Sequence, residues 1–251
     1  MYRFFVEQDQ LNNEFVRIVG DDYNHIRNVL RMRLGEKVLI SDGRDKEYEA
    51  AIVGFEDDAC FDDSAVLLKI TDVFGVSREL PSKITLFQGY PKGDKMEQII
   101  KKAVELGVFE IVPVMMNRCV VKLDEKKADK KVQRFNNIAL SAAKQSKRGV
   151  VPTVTGVMSF EDALDYTKSM DYVIIPYECA EGMNYSRQIL EGASGYSSIG
   201  VFIGPEGGFE KKEIDMLVDM GGKVISLGKR ILRTETAGMA VLALLMYMLE
   251  E

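Results

Sequence analysis

The rhythm of polar and apolar positions changes once along this chain, near residue 80. Before that point apolar and β-branched residues come in short runs, RFFV, EFVRIVG, KVLISDG, EYEAAIVGF and AVLLKITDVF, the signature of strands. Turn signals separate them at Gly20-Asp21-Asp22, Asp42-Gly43 and Glu56-Asp57-Asp58. One stretch, Asn24 to Met32, instead carries Ile26, Val29 and Leu30 at helical spacing. Short strands around one helix predict a small β-barrel. Charge and a proline break the pattern between Arg78 and Ser82, so the expected domains are 1–76 and 77–251.

From Lys83 onward strands alternate with helices. Six strands are expected, KITLFQGY, FEIVPVM, PTVTGV, DYVIIPYE, SSIGVFI and KVIS. The first helix, DKMEQIIKKAVELG, has Met96, Ile99, Ile100 and Ala103 on one stripe, Asp94 as N-cap and Gly107 as its stop. A long helix spans about Glu125 to Ser146, and shorter ones follow. The fold class is α/β, with a parallel sheet covered on both faces. The last helix, TAGMAVLALLMYMLEE, is apolar nearly all round, which suits a core or a subunit interface. It is shorter than the ~18 apolar residues of a membrane span.

Charge refines this picture. The net charge is −6, yet residues 83–148 hold 15 Lys/Arg against 7 Asp/Glu. A basic middle in an acidic chain suits a polyanionic partner. Lys126, Lys127, Lys130 and Lys131 read as a solvated helix face, whereas Lys144, Lys147 and Arg148, beside Gln145 and Ser146, are better contact candidates. His25, Arg27, Arg31 and Arg33 crowd one short helix and its end, with Lys37 close behind; phosphate contact and a solvated face are equally good readings. Cys60, Cys119 and Cys179 are far apart and lack CxxC spacing, which argues against disulfides and zinc. MYRFFVEQDQ lacks a signal-peptide pattern. The expectation is a cytoplasmic protein with no metal and no membrane partner.

Two loops carry the chemistry. GPEGGF (Gly204 to Phe209) and LGKRILRTETAG (Leu227 to Gly238) each follow a strand and precede a helix, where ligands of open α/β sheets bind. Gly204, Gly207 and Gly208 permit sharp turns and close approach. Glu206 disfavours a phosphate there and suits a neutral or cationic ligand. Arg230 and Arg233, beside Thr234 and Thr236, are donors without a core role. No P-loop or GxGxxG fingerprint occurs. A single histidine excludes a Ser-His-Asp triad.

RFFV, HIRNVLRMRLGE, KGDKMEQIIKKAVELGV, NRCVVK, AKQSKRGVVP, GPEGGF and LGKRILRTETA together resemble the RsmE-type 16S ribosomal RNA (uracil-N3) methyltransferases of the SPOUT superfamily. GPEGGF paired with RILRTETA is the specific part. The resemblance implies an N-terminal PUA-like barrel that grips RNA and a C-terminal SPOUT domain with a trefoil knot. It implies S-adenosylmethionine as methyl donor and 16S rRNA, free or within the small subunit, as substrate. It also implies a homodimer, for which Met239 to Leu249 would supply the surface and Leu245 an interface position. The donor would lie against Ile175, Pro176, Ile203, Gly204, Pro205, Glu206, Gly207, Gly208, Leu227, Gly228, Ile231 and Leu232. RNA contacts would come from His25, Arg27, Arg31, Arg33, Lys92, Gln145 and Arg148. Arg233, then Arg230, would stabilise charge on the uracil. Glu235 is the carboxylate taken as proton acceptor, with Glu178 and Glu206 as alternatives. The family usually has proline at Lys229 and glutamate at Lys144. Two readings stay open beside this one: another RNA target such as a ribose 2′-hydroxyl, and a non-catalytic RNA-binding factor, against which the intact motifs count.

Overall fold

The structure, a computed structural model, describes residues 1–56, 64–76, 78–121, 125–178 and 182–250 (backbone alone at 125 and 126). Cys60, Cys179 and the Asp57-Asp58 turn lie outside them. The chain divides into two compact units, residues 1–79 with 143–151, and residues 80–142 with 152–251.

The first unit is built on β1 (Arg3–Phe5), β2 (Phe15–Val19), β3 (Lys37–Ser41), β4 (Lys46–Glu56) and β5 (Ala65–Gly75). Their order is β1-β3-β4-β5-β2. β1 and β3 are parallel and the other pairs antiparallel. The outer strands β1 and β2 do not pair among the described residues. Register shifts between Glu49 and Ala50 and between Ile52 and Gly54 bend the long β4–β5 pair. Alternate residues Val16 and Ile18, Val38 and Ile40, Ala50 and Ile52, Val66 and Leu68 form its one-sided core.

The helix expected over Asn24 to Met32 starts earlier. α1 (Gly20–Asn24) begins at the glycine read as a turn, and continues as a π-helical turn over His25–Val29. Tyr23 and Ile26 plug the core, whereas Val29 is exposed. The widened turn lets the chain reach β3 through Arg31, which has a φ of 53°, a left-handed conformation uncommon outside glycine. Residues 143–151 also belong to this unit. There Ser41 Oγ donates to Gly149 O at 2.5 Å, and the Arg148 guanidinium is buried against Glu79.

The second unit comprises β6 (Lys83–Gly89), α2 (Lys95–Glu105), β7 (Glu110–Met115), most of α3 (Glu125–Ser146), β8 (Thr153–Val154), β9 (Met158–Ser159), α4 (Phe160–Tyr166), β10 (Tyr172–Pro176), α5 (Met183–Gly192), β11 (Ser198–Ile203), α6 (Lys211–Asp219), β12 (Lys223–Ile225) and α7 (Thr234–Leu249). All strands are parallel, in the order β12-β10-β11-β6-β7-β8, with β9 also on β7. The expected strand PTVTGV holds only Thr153–Val154, with β9 and α4 following. Asp94 occupies the N-cap position of α2 without a side-chain cap bond. Gly107 does end the helix region, at a φ of 87°, and a Cβ there would meet Leu80 Cδ1 at 2.7 Å. Buried Phe87, Phe202, Phe160 and Ile175 fill one side of the sheet. On α7, Val241, Leu242, Leu245 and Leu249 are buried; Leu245, expected at an interface, is fully enclosed within its own chain. No helix among the described residues is long and apolar enough to cross a membrane.

Candidate active site

Parallel strands bring their carboxyl ends to one edge, and the loops leaving β6, β7, β10, β11 and β12 line a cavity of about 1070 Å³. Pro176, residues 203–208, Leu227, Gly228, Ile231 and Leu232 all line it, as do Arg230, Arg233 and Lys92. Two expected residues do not. Ile175 is wholly buried in the sheet's core, because its position within β10 points it away from the loop edge. Glu235 is absent from the lining and turns toward Lys95.

The loop after β11 is fixed by close contacts. A Cβ at Gly89 would sit 2.5 Å from Pro205 N, so β6 can approach this loop only through a glycine. A Cβ at Gly207 would lie 2.9 Å from Arg118 Cβ, so the neighbour that Gly207 makes room for is Arg118. Arg118 Nη1 also donates to Gly207 O at 3.1 Å. Gly208 adopts a φ of 70°, and Phe209 is buried behind it. Glu210 and Glu213 form a capping box that starts α6.

Lys95 is the hub of the site's electrostatics. Its Nζ lies 3.0 Å from Glu206 Oε1 and 3.3 Å from Glu235 Oε2. The hydrogen bond to Glu206 is the main reason its pKa is raised above the ordinary lysine value. Burial pushes the Glu206 carboxyl up, but Lys95 and the amides of Glu206 and Lys92 outweigh it and hold it below the usual carboxylate range. Lys92 N donates to Glu206 Oε1 at 3.2 Å. Glu235 Oε2 is buried and has no hydrogen bond of good geometry. Thr234 Oγ1 donates to Gly204 O at 2.7 Å and accepts from Gln88 Nε2 at 2.8 Å. These bonds pin the start of α7 between β6 and β11.

The loop after β12 is open by contrast. Gly228 has a φ of 106°, Lys229, Arg230 and Arg233 are exposed, and Ile231 is 86% exposed. Among the described residues neither Arg230 nor Arg233 makes an ion pair. Lys95 and Arg118 went unassigned in the sequence, although both stand in motifs that carry the resemblance, KGDK and NRCVVK.

The expected RNA-contact residues divide. His25 is exposed, its ring edge-on to Phe4 with centroids 6.3 Å apart. The Arg27 guanidinium stacks 4.4 Å above the Phe55 ring. Arg31, Arg33 and Gln145 are exposed. Lys37 pairs with Glu49. Arg148 is 5% exposed and paired with Glu79, so it holds the first unit together and is no surface contact. Lys144 lies 2.9 Å from Asp22, which gives its reversed charge a partner. Burial pushes the Cys119 thiol's pKa up, as expected of a structural cysteine. Among the described residues no cluster of His, Cys, Asp and Glu could hold a metal ion.

The fold and these loops correspond to a known class. The family model for an RNA methyltransferase domain matches residues 78–246, and that for an RNA methyltransferase PUA domain matches residues 18–60. The chain is 36% identical to the ribosomal RNA small subunit methyltransferase E of Bacillus subtilis (strain 168), over its whole length and 98% of that protein. A crystal structure of the Neisseria gonorrhoeae ribosomal RNA small subunit methyltransferase E bound to S-adenosyl methionine matches with a TM-score of 0.80 and 32% identity, over 97% of this chain and 95% of that one. A Legionella pneumophila protein in complex with the cofactor SAM matches at a TM-score of 0.77 and 30% identity, over 97% and 96% of the two chains. The chain belongs to the ribosomal RNA small subunit methyltransferase E family.

Proposed function

We propose that the protein transfers a methyl group from S-adenosylmethionine to N3 of a specific uridine in 16S rRNA. The observation that carries this reading is the cavity. Pro176, Ile203, Leu227 and Leu232 give it apolar wall, residues 204–208 and 226–228 bring glycine-rich main chain to it, and Lys92, Arg118, Lys229, Arg230 and Arg233 give its lining a cationic side. These features suit an adenine and a sulfonium inside, with an anionic polymer outside. The bound donor supplies an electrophilic methyl carbon: the N3–C bond forms as the C–S bond breaks, once N3 has lost its proton. To Arg233, unpaired and on the cavity wall, we assign the stabilisation of negative charge on uracil O2 or O4, with Arg230 as second donor. Of the carboxylates, Glu206 and Glu178 line the cavity. Glu235 does not line it, so we move the proton-acceptor role from Glu235 to Glu178, with Glu206, which Lys95 holds, as the alternative.

His25, Arg27, Arg31 and Arg33 on the first unit are assigned to RNA backbone contact, which suits a cytoplasmic enzyme of ribosome assembly. The boundary between an RNA-gripping domain and a catalytic domain is drawn near residue 77. A trefoil knot is supported by the path of the C-terminus. β12 lies at the sheet's edge beyond β10, yet α7 starts on Gly204 and Gln88, past β10. A homodimer is supported by apolar exposure on α7, where Tyr247 is 80% and Leu244 39% exposed. Tyr247→Glu should therefore yield monomers in sedimentation, and a wild-type chain that sediments as a monomer at micromolar concentration removes the dimer.

The deciding experiment incubates the enzyme with labelled methyl donor and either 16S rRNA or small-subunit particles, followed by nucleoside analysis. N3-methyluridine is the expected product. A ribose-methylated nucleoside, or none, overturns the reading.

A further inference from the structure

Residues 149–251 carry 8 Lys/Arg against 15 Asp/Glu, and they supply most of the cavity. The cavity wall reverses that balance, with Lys92, Lys95, Arg118, Lys229, Arg230 and Arg233 against Glu178 and Glu206. Lys95 is neutralised by its two carboxylates. The other five cations make no ion pair among the described residues. An acidic chain that gathers unpaired cations at one mouth has built a field for an anion.

Arg118 stands apart within this group because the loop that carries it is locked in place. Asn117 N donates to Glu213 Oε1 at 3.1 Å, and Asn117 Nδ2 to Glu210 Oε2 at 3.1 Å. Glu213 is itself 2% exposed and also accepts from Glu210 N at 2.7 Å. Cys119 N closes the turn on Met116 O at 3.0 Å. The Arg118 stem packs on Gly207, and Nη1 reaches Gly207 O. One guanidinium N–H is thus used on a neutral carbonyl, and the side chain is otherwise exposed. The ordering cost of a long side chain has largely been met before any ligand arrives.

We propose that Arg118 is a phosphate anchor for the substrate RNA, at the rim of the cavity. It is a binding residue and not a catalytic one. The proposal rests on the RNA methyltransferase reading above and adds to it a contact outside the GPEGGF and RILRTETA motifs. A phosphodiester fits the site better than the donor does. The donor's sulfonium would be repelled, and its one carboxylate needs one cation where five are unpaired. A run of single-stranded RNA offers a phosphate to each.

The test compares wild type, Arg118→Ala and Arg118→Lys in three measurements. These are the affinity of a labelled 16S rRNA fragment across a salt series, donor affinity by calorimetry, and steady-state methylation. Arg118→Ala should weaken RNA binding about tenfold, and reduce the slope of log affinity against log salt by about 0.7 to 1, the share of one phosphate contact. KM for RNA should rise while kcat and donor affinity stay within about twofold. Arg118→Lys should restore most of the salt slope, since a phosphate accepts a point charge. An unchanged slope in Arg118→Ala overturns the proposal. So does a fall in donor affinity with RNA binding intact, which would make Arg118 a brace for Gly207 or a ligand of the donor's carboxylate. If wild-type enzyme neither binds the donor nor methylates rRNA, the broader reading fails instead, and the wild-type arm shows it.

Discussion

The two loops that wall the cavity are built in opposite ways. The loop after β11 is anchored on the protein: Pro205 and Phe209 are buried, and Glu206 is paired with Lys95. The loop after β12 is committed to solvent, with Lys229, Arg230, Ile231 and Arg233 exposed. A slot for a small donor must keep its shape between turnovers. A surface for a polymer must display charge before contact and close around it afterward. Under the proposed function the first loop, with Leu227 and Leu232, shapes the donor slot and the exposed cations of the second display charge to RNA, so substitutions at the two kinds of residue should fail in different assays.

The largest separation is expected at Arg233. Arg233→Ala should lower single-turnover methylation by about 10² to 10³, the usual cost of one preorganised donor, with donor affinity almost unchanged. Arg233→Lys should recover only part, because the planar fork is lost. A variant with weak donor binding and near-normal chemistry at saturating donor would erase the distinction between the loops.

Gly89→Val should give the converse. Its Cβ would meet backbone, Pro205 N, at 2.5 Å, so the loop after β11 must move. At an overpacking cost of about 1 to 3 kcal/mol, donor affinity should fall about tenfold to a hundredfold, while RNA affinity measured without donor is retained. Gly228→Ala supplies the contrast. Nothing lies within 4 Å of its Cβ, and only the backbone at a φ of 106° is strained, about 1 kcal/mol. Calorimetry showing equal losses in the two variants would contradict a fixed slot.

The smallest effect belongs to Lys95. Its partners are partly solvated, so Lys95→Met should cost about 1 kcal/mol or less of stability and a few-fold in donor affinity. The pH dependence has a defined sign. Glu206 is held below the ordinary carboxylate value of 4.5, so its share of stability is complete above that value and lost as pH falls through the lower folded value. Lys95 is raised above 10.5, so its share is complete below that value and lost as pH rises through the higher folded one. Thermal melts of Lys95→Met should therefore lose part of the wild type's acid-limb dependence, and curves that remain parallel below pH 5 would show that the pair contributes nothing.

Legibility in the sequence followed the range of the interaction. Strands β1 to β5 and helices α2 and α3 stand where the apolar runs and the period-3.6 patterns put them, because burial of one face is written into adjacent residues. GPEGGF and LGKRILRTETAG were visible for the same reason, as glycine and arginine next to strand ends. Arg148 was misread because a cation after a helix looks the same whether it meets RNA or Glu79, 69 residues earlier. Leu245 was misread because a helix apolar on every side does not say which side faces its own core.

The sequence by itself settled most of the segments that become strands and helices, which strand ends carry the two glycine and arginine loops, and that these loops also hold carboxylate. Only the tertiary structure settled which charges meet. Placing β6 beside β11 brought Lys92 and Lys95 to Glu206, the Lys92 amide donating to a carboxylate 114 positions away, and made Lys95 the partner of two carboxylates. Placing β7 on the far side of β6 set Arg118 against Gly207, 89 positions away. Such pairings depend on strand order, which is fixed by packing summed over the whole sheet and leaves no periodic trace in the residues it joins.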